Sequence, residues 1–175
     1  IPNTVAGAAR NITRQRISMF NIHATGGLEM MKAAVSARDE VAAKLMIEKP
    51  ILIAVTILTS ISETMLKDEL SVSVSVSDQV RKLAKLTKQA GLDGVVASAR
   101  ESKLIREAVG EDFLIVTPGI RPAWASTDDQ SRIVSPKDAI KNGSDYLVVG
   151  RPITTAKNKA EAARKVVEEM ESAIS

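Results

Sequence analysis

The chain contains no cysteine and one histidine among its 175 residues. That excludes disulfides, thiolate zinc sites and a Cys nucleophile, and it argues against a His-based metal centre or catalytic triad. Aromatic residues make up only 2%, so the stacking platforms that hold single-stranded nucleic acid are missing. No charge block stands out: 24 basic residues against 21 acidic ones, spread along the chain, leave a net +3. A nucleic-acid partner is therefore not expected. No apolar run approaches the ~20 residues of a membrane span, and no signal peptide is visible. The expectation is a cytoplasmic protein with no membrane partner. Hydrophobic content of 45% and charged content of 26% fit a globular chain long enough to bury one sizeable core.

What is present alternates. Thr4 can cap a helix from Val5 to about Arg16, and Met19–Ile22 reads as a short strand. A long helix fits Leu28 to Glu48, and Ile51–Thr56 is an uncharged, β-branched strand. Ser71–Val76 alternates polar and apolar residues, yet Ser77-Asp78 looks like the cap of a helix from Gln79 to Gln89. The segment is therefore read as an extended connection, because a strand there would break the strand–helix rhythm. A strand at Gly94–Ser98, a helix at about Glu101–Val109 and a strand at Phe113–Thr117 follow. After them come a polar loop from Pro118 to Ile133, a helix opened by Ser135-Pro136, a buried strand at Tyr146–Val149 and a last helix from about Ala160 to Ile174. Five strands alternating with helices predict a parallel sheet whose ligands bind at the C-terminal strand ends.

Those ends hold the candidate residues. The fifth carries Gly150-Arg151-Pro152, where a bare backbone, a forked cation and a helix start together suit a phosphate group. The same residues also suit a surface arginine in an ordinary βα loop, and this segment alone leaves both open. Thr56–Ser60 offers hydroxyls and amides to a polar planar ligand, or equally a helix cap. His23, among small residues at the first strand end, reads as a hydrogen-bonded structural group. No nucleophile–base pair and no carboxylate pair occupies a strand end.

Ile1-Pro2-Asn3-Thr4, Asn21-Ile22-His23-Ala24, Ala54 through Ser60, Thr117 through Pro122 and Val149 through Pro152 occur in order, with Asp129-Gln130 between the last two. Together they resemble the bacterial orotidine 5′-phosphate decarboxylases over the whole chain. The resemblance implies a (β/α)8 TIM barrel of which residues 1–175, a single domain, supply about the last five strand–helix units. It implies a homodimer that converts orotidylate to uridylate in pyrimidine biosynthesis without metal or cofactor. By position, Arg151 and the Gly150 amide would hold the phosphate, Arg121 would join them, and Gln130 would bridge phosphate and pyrimidine. Thr59 would bond the pyrimidine edge and Thr4 would reach the partner subunit's nucleotide. His23 and Trp124 are not carried over as substrate contacts. The family's catalytic Asp-x-Lys-x-x-Asp is expected just before Ile1, so no catalytic residue is assigned in this chain, and an N-terminal fragment of the same protein is the expected partner. Two alternatives are a non-catalytic nucleotide-phosphate binder and another phosphate-binding decarboxylase or synthase of the superfamily.

Overall fold

The computed structural model describes residues 1–125 and 134–174. Five strands, β1 (Met19–His23), β2 (Ile51–Val55), β3 (Gly94–Val96), β4 (Leu114–Thr117) and β5 (Tyr146–Leu147), form one sheet in the order β1-β2-β3-β4-β5. Every pairing is parallel. Each strand neighbours the next in sequence and the order never reverses. That is the winding of a (β/α)8 barrel, whereas a doubly wound sheet has a switch point. The helices are α1 (Pro2–Arg14), α2 (Leu28–Leu45), α3 (Val76–Gln89), α4 (Ser102–Val109), α5 (Pro136–Lys141), α6 (Arg151–Thr154) and α7 (Lys159–Glu171).

Strand alternation sorts the sheet into two faces. Ile22, Ala54, Val95 and Ile115 are register partners and belong to the large core shared with Met31, Ala34, Val80, Leu83 and Ile105 of the helices. The opposite face carries His23, Val55, Val96, Val116 and Tyr146 in register. Gly94 on that face allows β3 and β4 to approach closely, since a Cβ there would lie 2.4 Å from the Leu114 carbonyl oxygen.

Several boundaries differ from expectation for local reasons. Thr4 is not a cap: α1 starts at Pro2, which suits the first helical position, and Ile1 is the N-cap residue. Thr4 lies exposed in the first turn instead. The cap of α3 is Ser75 rather than Ser77, its hydroxyl accepting from the Asp78 amide at 3.0 Å. Val76 therefore opens the helix, and the rest of Ser71–Val76 forms no strand. A single π turn at Met65–Glu69 adds to the expected elements, and the Ser62 hydroxyl accepts from the Met65 amide at 3.1 Å where it begins. Ser135 caps α5 as expected, again through the amide three residues on. The Tyr146–Val149 strand is shorter than expected and is not buried: Tyr146 is 46% and Val148 52% exposed. Among the described residues β5 is an edge strand, paired with β4 alone.

The N-terminal ends of the strands are tied by a repeated device. The Asp93 carboxylate, just before β3, accepts from Arg38 of α2 at 2.5 Å and from the Leu52 amide of β2 at 2.7 Å. Asp145, just before β5, likewise accepts from Arg106 of α4 and the Ile115 amide of β4, both at 2.6 Å. Arg106 also donates to the carbonyls of Gly143, Glu111 and Phe113. Asp39 beside Arg38 is pushed up by burial, but hydrogen bonds from Lys49 at 2.7 Å and Arg38 at 2.8 Å outweigh that and hold it below its ordinary 3.8.

Asp145→Ala should cost roughly 2–3 kcal/mol, less than a fully buried pair because the carboxylate is partly exposed. Glu111→Ala, 3.7 Å from Arg106 and well exposed, should cost almost nothing. Urea unfolding of the two variants distinguishes them. The depressed Asp39 carboxyl stabilises fully above pH about 4, and this contribution fades as pH falls through its lower folded-state value. Asp39→Asn should therefore flatten the acid limb of the stability–pH curve, as read by unfolding midpoints from pH 6 downward.

Candidate active site at the C-terminal strand ends

A small satellite core sets the backbone of the site. Ala99, Ile120 and Ala139 are buried together, with Val134, Leu147 and Val149 packed on them. Ile120 precedes Arg121 and Val149 precedes Gly150, so the cluster anchors both loops one residue before their polar groups. The Arg121 amide donates to the Val134 carbonyl at 3.0 Å, and Ile120 and Val134 form a parallel bridge. These bonds close the base of the excursion that leaves β4. Gly119, at φ 76°, makes the bend into it, a left-handed conformation that favours glycine.

Arg121 and Arg151 then converge. Both line a cavity of about 240 Å³ together with Gly119, Val148, Gly150 and Pro152. Arg121 is buried, at 8% exposure, while Arg151 is exposed. Gly150 is the N-cap of α6, and a Cβ built there would meet no atom within 4 Å among the described residues beyond its chain neighbours. The backbone is thus open to a ligand at this point. The expected helix start is only four residues long, so it offers amides and little macrodipole. Two guanidinium groups beside a bare backbone suit a phosphate dianion, which takes charge-assisted hydrogen bonds from forked donors.

The other expected residues are placed less closely. Thr59 occupies the turn Leu58–Ile61 after β2, closed by the Ile61 amide on the Leu58 carbonyl at 2.9 Å. That is the same end of the sheet, but Thr59 does not line the arginine cavity. Thr56 is committed to structure, donating its hydroxyl to the Val96 carbonyl at 2.9 Å. Thr4, on α1 before β1, is not brought to the arginines. Gln130 lies outside the described residues. Trp124 was not expected at the site, yet it lines a second cavity of about 250 Å³ with Arg121, Arg151 and Thr155. Its position three residues after Arg121 was the available signal.

A larger cavity of about 380 Å³ lies between Arg16, Ser18, Glu48 and Ile51, at the N-terminal ends of β1 and β2. In parallel α/β folds that end supports stability and the chemistry sits at the other. Among the described residues, no group of three or more His, Asp or Glu could hold a metal ion, and no helix is long and apolar enough to cross a membrane.

Residues 1–166 match the model of the orotidine 5′-phosphate decarboxylase / HUMPS family. The orotidine 5′-phosphate decarboxylase of Heliobacterium modesticaldum is 49% identical over 97% of this chain and 70% of its own length. That of Geotalea daltonii is 53% identical, with the same coverage of both chains. The crystal structure of orotidine 5′-phosphate decarboxylase from Lactobacillus acidophilus superposes with a TM-score of 0.84 at 39% identity, covering 97% of this chain and 70% of that one. Likeness at this level, over nearly every residue and with the same strand winding, makes this chain a member of the orotidine 5′-phosphate decarboxylase family.

Proposed function

We propose that this chain forms the phosphate- and pyrimidine-binding part of an enzyme that decarboxylates orotidine 5′-monophosphate to uridine 5′-monophosphate in pyrimidine biosynthesis. The observation that carries the reading is the convergence of Arg121 and Arg151, from two different strand-end loops, on one cavity beside the open Gly150 backbone. On this reading Arg151, the Gly150 amide and Arg121 hold the phosphate, Gln130 bridges phosphate and pyrimidine, and Thr59 bonds the pyrimidine edge. Thr4 reaches the nucleotide of a partner subunit in a homodimer. Residues 1–175 belong to one domain, the C-terminal part of a barrel working in the cytoplasm.

In the reaction the bond from the ring carbon to the carboxylate breaks, carbon dioxide leaves, and the ring carbon takes a proton. The proton donor and its carboxylate neighbours are the Asp-x-Lys-x-x-Asp residues, which we assign to an N-terminal portion of the protein. The relatives leave length for such a portion, since this chain spans about 70% of theirs. The residues described here act at a distance from that bond. Gripping a remote phosphate speeds the chemistry only where the binding energy orders the site around the reacting carbon. Two arginines from separate loops suit that use, because one bound dianion can accept from both.

The protein carrying the N-terminal portion should decarboxylate orotidylate, followed by loss of its ultraviolet absorbance, and the 175-residue chain alone should not. Equal activity without that portion would refute the division of roles. Uridylate binding with no turnover in the longer protein would favour a non-catalytic nucleotide binder. Arg151→Ala should weaken uridylate binding roughly 30- to 100-fold and leave uridine unaffected, by calorimetry. Gly150→Ala, whose methyl would enter the open space beside this backbone, should bind uridylate more weakly than the unaltered protein, by calorimetry.

A further inference from the structure

Between β2 and α3 the chain makes a long excursion, and the part of it that carries Thr59 is fastened on both sides. Before Thr59, the Thr56 amide and hydroxyl both donate to the Val96 carbonyl, at 3.1 and 2.9 Å. Thr59 itself is half-buried in the Leu58–Ile61 turn, and its hydroxyl makes no hydrogen bond among the described residues. After it, the Glu63 carboxylate reaches the start of α3, where both of its oxygens accept from the Val76 amide at 3.0 Å. Ser62, next to Glu63, accepts from the Leu66 amide at 2.9 Å, and Leu66 is buried in the main core.

The Val76 amide belongs to the first turn of a helix, so it has no partner within α3. A carboxylate suits that position, both as a charged acceptor and through the helix dipole. The helix end already has a cap of its own, since the Ser75 hydroxyl accepts from the Asp78 amide at 3.0 Å. What Glu63 adds is a tie across 13 residues of chain, from the Thr59 side of the excursion to a helix seated in the core by Val76, Val80 and Leu83. Thr59 is thereby held between a strand end and a helix start.

We propose that Glu63 is a positioning residue for base recognition: by tying its loop to the Val76 amide, it holds the Thr59 turn where the hydroxyl meets the pyrimidine edge. Glu63 does not touch the ligand. It acts through Thr59, and the inference rests on the reading of Thr59 as the pyrimidine contact.

The test uses the protein with its N-terminal portion and two ligands that differ by the base, uridylate and ribose 5-phosphate, titrated by calorimetry. Glu63→Ala should weaken uridylate roughly fivefold and leave ribose 5-phosphate within about twofold. Glu63→Gln, whose amide oxygen can still accept, should stay within about twofold for both. Ser75→Ala removes the other cap of the same helix end, so it should lower the urea midpoint and leave both affinities alone. Thr59→Ala should lose the preference for uridylate, and adding Glu63→Ala to it should cost nothing further. Equal loss of both ligands in Glu63→Ala would overturn the role, and so would a Ser75→Ala that matches it on uridylate. If Thr59→Ala loses uridylate affinity and Glu63→Ala does not, the inference falls and the pyrimidine contact stands. If Thr59→Ala loses nothing, both fall, and ribose 5-phosphate binding then reports on the phosphate site by itself.

Discussion

The Asp–Arg ties at the N-terminal strand ends hold the rest of this structure in place. In each, one carboxylate oxygen accepts from an arginine of a helix and from a backbone amide of the next strand. The aspartate's own amide donates back to that strand, Asp93 to Leu52 and Asp145 to Ile115, both at 2.9 Å. A helix, the strand after it and the start of a third element are thereby joined at one point. The arginine side chains are 5% and 10% exposed, so these are charges largely removed from water and satisfied by several acceptors. Local sequence prepares both sites alike. Gly91-Leu92-Asp93 and Gly143-Ser144-Asp145 each place a glycine at positive φ after a helix, turning the chain so that the aspartate enters beside the sheet.

With the N-terminal ends tied, the opposite ends can carry polar groups that the fold itself does not need. The satellite core of Ala99, Ile120 and Ala139 extends the packing just far enough to place Arg121 and Gly150. Beyond it, the arginines meet around open space. Arg121 is buried while Arg151 is exposed, and both line one cavity beside Gly150.

Local chemistry explains which elements were legible. The uncharged run Ile51–Val55 and the Ser135-Pro136 helix start were readable because one strand pattern and one cap each had no nearby competitor. Where two signals competed, the weaker-looking one won. Pro2 displaced Thr4 as the start of α1, and Ser75 displaced Ser77 because it alone stands three residues before Asp78. The Tyr146–Val149 run carries the pattern of a buried strand, yet Tyr146 and Val148 are exposed because burial is set by what packs on the strand and not by its own residues.

The sequence by itself determined the strand–helix alternation, the parallel pairing expected of it, and which residues lie at the strand ends. These depend on periodicity and on side-chain chemistry within a few positions. Only the tertiary structure decided that Arg121 and Arg151 line one cavity, that Trp124 lines a second cavity with them, and that Asp93 and Asp145 pair with Arg38 and Arg106. Each of those contacts joins residues on different elements. They form when strands pair and helices pack, and no short stretch of sequence contains that information.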